Sequence, residues 1–171
     1  MKQFNIIYAD PGWHYRDTAN DGARGAAHKY SVSKDADIAA LPVESIAADD
    51  AFLFLWITMP KLPVAFDVIK AWGFKYKTCA FTWVKRNRVS RETWFTGMGH
   101  YTRANAELCL LGTRGRPRRV DASVHQIIDT PIEGHSKKPD EVRRRIVQLC
   151  GDLPKRNATQ TNNPIGKRGE V

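Results

Sequence analysis

Cysteine is scarce in this chain: Cys79, Cys109 and Cys150 are the only three in 171 residues. An odd number at wide spacing, with no CxxC pair, excludes a disulfide framework and a paired-thiolate zinc site, and leaves the thiols as small core residues in a reducing compartment. Long apolar runs are also missing. Charged or polar residues interrupt every hydrophobic stretch well short of the roughly 18 residues that a membrane-crossing helix needs, and the N-terminus shows no basic-then-apolar leader. The expectation is a soluble, cytoplasmic protein with no membrane partner. Neither an internal repeat nor a linker appears, so the chain reads as one domain over residues 1–151. A tail over 152–171 follows, nearly free of apolar residues and expected to be disordered.

Positive charge is in excess. The chain carries 27 basic residues against 18 acidic ones, a formal net charge of +9. The basic residues bunch at Lys85 to Arg88, Arg114 to Arg119, Lys137-Lys138, Arg143 to Arg145 and Lys155-Arg156. Such a balance favours a polyanionic partner such as nucleic acid over the alternative of a solvated basic surface with no partner, though composition does not decide between them.

Hydrophobic residues make up 42% of the chain, which suffices for a core. Phe4 to Ala9 is a short apolar run closed by Asp-Pro-Gly, a buried strand ending in a turn. Residues 14–29 turn polar and Gly-containing, as a loop over the strand end would. Ser33 or Asp35 is placed to cap a short helix running to about Leu41. Ala51 to Ile57 is almost wholly apolar, the mark of a strand covered on both faces. Leu62, Ala65, Phe66, Ile69 and Trp72 repeat at helical spacing, and Gly73 supplies the stop. Phe74 to Val84 and Ala106 to Gly112 read as further strands, and Val120 to Ile128 as a weaker one. Pro139-Asp140-Glu141 opens a helix whose buried face holds Val142, Ile146 and Leu149. Strands alternating with helices indicate an α/β sheet with parallel members.

In such sheets ligands sit beyond the carboxyl ends of the strands, where Asp10-Pro11-Gly12-Trp13 falls. An exocyclic amine on a flat base has two hydrogens and a lone pair delocalised into the ring. A carboxylate and a backbone carbonyl that accept both hydrogens draw the nitrogen toward tetrahedral geometry, and Asp10 with the Pro11 carbonyl offers that pair. Trp13 supplies an aromatic plane for stacking. The same four residues also make a good turn with a core anchor, and the tetrapeptide alone does not choose. Trp56, Trp72 and Trp83 read as core. His14, His100 and His135 lie in candidate loops, with no spacing that suggests a metal.

Asp10-Pro11-Gly12-Trp13 resembles the DPPW signature of the β-class adenine-N6 methyltransferases, the family typified by the catalytic subunit of the eukaryotic mRNA adenosine methyltransferase. The similarity continues in order through Tyr30-Ser31-Val32, Phe52 to Trp56, Ala71 to Phe74, Trp83-Val84-Lys85, Gly97 to Tyr101, Glu107 to Gly112 and His135 to Val142. The resemblance implies a Rossmann-like methyltransferase sheet, S-adenosylmethionine as methyl donor, and adenine in DNA or RNA, DNA before RNA, as acceptor. Asp10 and the Pro11 carbonyl would bind the amine, with Gly12 and Trp13 completing the catalytic loop and Trp13 stacking on the base. Lys138 would pair with the donor's carboxylate, helped by Ser136, and Asp10 and Pro139 would also belong to the donor site. Residues 14–29, with Tyr15, Arg16 and Lys29, and residues 85–103, with Lys85, Arg86, Arg88 and Arg103, would close on the nucleic acid. A homodimer or heterodimer is left open, and no segment is large enough for a separate target-recognition domain.

Two departures from the family pattern stand out. Gly12 replaces the motif's second proline, which adds backbone freedom. The segment after residue 151 lacks the family's apolar strand and its closing Gly-Asn element, so loss of the C-terminal strand beside Phe4 to Ala9 is expected. Both departures favour the alternative of a catalytically inactive homologue that binds nucleic acid or a catalytic partner.

Overall fold

The computed structural model describes residues 2–13, 34–99, 101–134 and 137–159. Six strands, β1 (Phe4–Asp10), β2 (Ala47–Ile57), β3 (Lys75–Arg86), β4 (Glu107–Arg114), β5 (Ile127–Pro131) and β6 (Lys155–Thr159), join in one sheet of order β5-β3-β4-β2-β1-β6. β1 runs parallel to both β2 and β6, β3 runs parallel to β5, and β4 is antiparallel to β2 and β3. The helices are α1 (Asp35–Ala39), α2 (Val43–Ile46), α3 (Leu62–Ala71) and α4 (Asp140–Cys150). This is the α/β sheet with parallel members that the alternation of strand and helix leads one to expect, in the Rossmann-like form that the family resemblance implies.

Side-chain alternation along each strand divides the core into two layers. Ile7, Ala9, Leu53 and Leu55 face the layer that holds Ile38, Val43, Ala65, Val68, Ile69 and Trp72 of the α1–α3 side. Ile6, Tyr8, Phe54, Trp56, Phe81 and Trp83 face Val142, Ile146 and Cys150 of α4. Because both faces are covered, every residue from Ala51 to Ile57 is buried, as its unbroken apolar run requires. α3 ends where Gly73 takes a φ of 79°; the Gly73 N–H then reaches the Lys70 carbonyl and the Phe74 N–H reaches Ile69, both at 3.0 Å. That pairing satisfies the last carbonyls of the helix and needs a residue without a Cβ at its left-handed position.

Two expectations are corrected. The fifth strand is Ile127–Pro131 rather than 120–128: Val120 is exposed, and pairing with β3 starts only at Ile127. The lost C-terminal strand is present as β6, paired with β1 from Ile6↔Lys155 to Asp10↔Thr159. A parallel ladder is made by backbone groups, so Lys155-Arg156-Asn157 can form it without any apolar signal. The sheet thus continues past residue 151 to 159, and the remaining tail residues, 160–171, lie outside those described.

The cost of that polar strand is visible beneath it. Lys155 and Asn157 stand beside Ile6 and Tyr8 on the face covered by α4, and a cavity of about 440 Å³ opens there, lined also by Arg143, Arg144, Ile146 and Val147. Apolar volume at this place would fill the gap. Asn157→Leu is therefore expected to raise the unfolding free energy by about 0.5–2 kcal/mol, read as a higher urea midpoint at unchanged slope. A lower midpoint would show that the polar strand is adapted to the cavity.

Candidate active site

Asp10, Glu107 and Lys85 sit at one end of three strands, each continuing a row of side chains that faces α4. Asp10 follows Ile6 and Tyr8 on β1, Glu107 precedes Cys109 on β4, and Lys85 follows Phe81 and Trp83 on β3. β4 runs antiparallel, so its first residue comes to the end where β1 and β3 finish. Lys138, just before the first turn of α4, descends into the same place. Its Nζ lies 3.0 Å from Asp10 Oδ2 and 3.2 Å from Glu107 Oε2, while Lys85 Nζ lies 2.5 Å from Glu107 Oε1. The four side chains are only 10–17% exposed and form the chain Asp10–Lys138–Glu107–Lys85.

Two ammonium groups thus face two carboxylates at the edge of the core, which keeps the cluster locally neutral. Aromatic rings form its floor: Lys138 Nζ lies 5.4 Å from the Trp56 ring centroid and Lys85 Nζ 5.1 Å from that of Trp83. The Trp56 indole donates to the Tyr8 hydroxyl at 2.8 Å, which fixes the floor beneath Asp10. The carboxylates respond differently. Burial raises the Asp10 pKa, an effect that its single partner Lys138 only partly offsets. Burial acts on Glu107 in the same sense, but Lys138 and Lys85 together outweigh it and hold that carboxyl below its ordinary range. Lys138, though desolvated, is held above its ordinary value by Asp10 and Glu107, so it stays charged.

A family model described as MT-A70 matches residues 4–159, from the first strand to the last. The chain belongs to the MT-A70 family. It is 31% identical to the type II methyltransferase M.MunI of Mycoplasma sp, over 96% of this chain and 75% of that one. It is 26% identical to the human N(6)-adenosine-methyltransferase catalytic subunit METTL3, over 87% of this chain but 24% of the human protein. The Drosophila melanogaster N(6)-adenosine-methyltransferase MT-A70-like protein is 28% identical, over 87% and 23% respectively. The chain therefore spans about three quarters of M.MunI and about a quarter of these animal relatives.

Of the residues that the family signature singles out, Asp10 and Lys138 are brought together, and Pro139 stands at the N-cap of α4 beside them. The Pro11 carbonyl accepts the Trp13 N–H at 3.0 Å, closing a three-residue turn that leaves one lone pair for a ligand. Trp13 is not the exposed plane expected for stacking. It is 5% exposed within the α1–α3 layer of the core, and its indole donates to the Trp56 carbonyl at 2.9 Å. The turn-and-anchor reading of that residue is the one realised. Tyr15, Arg16, Lys29 and Ser136 lie outside the described residues, as do His14, His100 and His135.

The basic clusters also need redrawing. Lys85 serves Glu107, and Arg86 is held by both oxygens of Asp129 at 2.7 Å, so neither offers a loose charge to a phosphate. Arg88 and Arg103 are exposed at the surface of the 87–106 segment. Arg114 pairs with Ala51 in the β2–β4 ladder, at the end of the sheet opposite Asp10, so the 114–119 cluster starts far from the site. Sequence reasoning missed Glu107 and Asn105. Asn105 Oδ1 accepts the Lys85 N–H, and its Nδ2 donates to the carbonyls of Lys85 and Phe95, tying the loop to the strand end. A lone acid heading the apolar run Leu108 to Leu111 was the available signal for Glu107.

The two carboxylates are expected to affect stability with opposite signs. Asp10 titrates higher in the fold than in the unfolded chain, so its charge opposes folding at pH 7, and Asp10→Asn raises the urea midpoint there. Glu107 titrates lower, so it contributes stability that is complete above the ordinary carboxylate range and is lost as pH falls through its folded value. Glu107→Gln accordingly lowers the midpoint at pH 7, with the deficit closing in acid. Equal losses from the two variants would contradict this assignment.

Proposed function

We propose that this protein transfers a methyl group from S-adenosylmethionine to the N6 amine of adenine in nucleic acid, with DNA the favoured acceptor. The observation that carries the reading is the joining of Asp10, at the carboxyl end of β1, to the buried Lys138 before α4. Membership of the MT-A70 family, and the match to a type II methyltransferase along most of both chains, support the same reaction and favour the DNA reading.

The residues present fit the donor's amino-acid end. That end carries one carboxylate and one ammonium, and the buried quartet presents partners of both signs at a helix N-terminus, where an anion is further favoured. Lys138 would pair with the carboxylate as a point charge. When bound, the donor supplies a methyl group already activated on a sulfonium, so little acid–base work falls to the protein beyond orientation. The Asp10 carboxylate and the free lone pair of the Pro11 carbonyl would accept the two amine hydrogens, which localises the nitrogen lone pair. With its pKa raised by burial, Asp10 is also a competent acceptor for the proton that the nitrogen sheds after methylation.

A second reading, an inactive homologue that still binds nucleic acid, is favoured by the polar β6 and the cavity beside it on the face covered by α4. Calorimetric titration of folded protein with S-adenosylmethionine separates the two, since absence of binding removes the enzyme reading. Methyl transfer onto single-stranded and duplex DNA and RNA then identifies the acceptor. Asp10→Ala is expected to lower transfer by about a hundredfold or more while donor binding partly survives; retained transfer would refute the amine-binding role.

A further inference from the structure

Four of the five tryptophans, Trp13, Trp56, Trp72 and Trp83, are at most 5% exposed, whereas Trp94 is 52% exposed. It is also unusually well fixed for a surface aromatic residue. Its backbone bridges to Arg86 at the end of β3, Asn87 donates to its carbonyl at 3.0 Å, and the next residue, Phe95, donates its N–H to the Lys85 carbonyl at 2.9 Å. The Arg86 guanidinium lies 3.6 Å from the ring centroid. That guanidinium is itself immobilised, by Asp129 through two bonds of 2.7 Å and by the Glu92 carbonyl at 2.8 Å. A cation stacked under one face, with the ring half exposed, makes a preorganised platform: a second planar group can stack without ordering a loose side chain first.

The surroundings select the occupant. Between Lys85 and Arg103 the sequence holds five basic residues and one acidic residue, Glu92. Arg88 and Arg91 are exposed and make no ion pair among the described residues. An exposed aromatic plane with two exposed cations within six residues of it in sequence suits a base with its phosphates, since every base has a π-face and every link a negative charge. The platform stands at the same end of the sheet as Asp10, because Arg86 and Lys85 end β3 and Lys85 belongs to the buried quartet. Three strand spacings of about 4.8 Å separate β1 from β3, a lateral offset on the order of 14 Å, and Arg86 stands on the sheet face opposite Lys85, so the platform suits a neighbouring nucleotide that crosses the end of the sheet rather than the target base itself.

We infer that Trp94, propped by Arg86 and Asp129, is a stacking site for an unpaired base flanking the target adenine. The inference rests on the nucleic-acid reading above and adds to it a place where the acceptor strand is held. It also gives Arg86 a role as the support of an aromatic ring instead of a phosphate contact.

The test uses the full chain and single-stranded oligodeoxynucleotides with one adenine and a single abasic position moved stepwise along the strand. Native protein is expected to lose affinity by roughly tenfold when the abasic position coincides with the stacked base. Trp94→Ala binds the intact strand about that much more weakly and loses the positional dependence, while Trp94→Phe retains most of it. Because the other tryptophans are buried, acrylamide quenching reports on Trp94, and the intact oligonucleotide should shield it. Unchanged affinity and abasic profile in Trp94→Ala, with binding and methyl transfer by the native protein intact, would overturn the platform alone. Folded native protein that binds no strand would overturn both the platform and the nucleic-acid reading. A change in sedimentation of Trp94→Ala without a change in oligonucleotide affinity would assign the ring to a protein contact instead.

Discussion

The site depends on one buried ion chain, Asp10–Lys138–Glu107–Lys85, which ties the ends of β1, β3 and β4 to the start of α4. Asp10, Glu107 and Lys85 each follow or precede a row of apolar side chains on the same sheet face, so the hydrophobic layer carries these polar groups to its own edge, where Lys138 meets them. There they are desolvated enough for their interactions to be strong and still close to solvent. Removing Lys138 would leave the Asp10 carboxylate desolvated and without its cation, which is why these positions are coupled so tightly. The division of labour within the chain follows from counting partners. Glu107, with two cations, is held ionised as a structural anchor; Asp10, with one, keeps a raised affinity for a proton.

That contrast links stability to chemistry. A carboxylate that opposes folding is tolerated where its lone pairs are needed for a ligand's hydrogens, and the neighbouring carboxylate that stabilises the cluster holds Lys138 in place. The polar strand β6 belongs to the same end of the molecule in a different way. It completes the sheet beside β1 through backbone pairing, yet leaves a cavity under α4 where apolar side chains would pack. Sheet topology and core filling are thus separable here: the first is intact and the second is incomplete.

Much of the fold was legible in the sequence, because its signals were local. The apolar run from Ala51 to Ile57, the helical spacing from Leu62 to Trp72 and the stop at Gly73 each declare a burial pattern or a backbone need that no distant residue alters. The site was half legible. Asp10 and Lys138 emerged from the ordered landmarks of the family, but Glu107 lay in full view without a role, since its partners stand 22 and 31 positions away and only the antiparallel β4 brings them together. Lys85 and Arg86 looked like phosphate ligands because their carboxylate partners come from β4 and β5. Trp13 looked exposed because a tryptophan after a turn carries no mark of which way its ring will turn; its bond to the Trp56 carbonyl decides that. β6 was invisible because parallel pairing needs backbone groups and asks little of the side chains.

If the buried quartet receives the carboxylate of the methyl donor, affinity must depend on that carboxylate and on Lys138 together. The direct measurement is calorimetric binding of S-adenosylmethionine and of its decarboxylated analogue to native protein and to Lys138→Met, each first shown to be folded. Native protein should bind the decarboxylated analogue about tenfold or more weakly, a difference of roughly 1.4 kcal/mol or above, and Lys138→Met should bind the two alike. Equal binding of both compounds by native protein, or a preference that survives in Lys138→Met, would contradict the role assigned to the quartet.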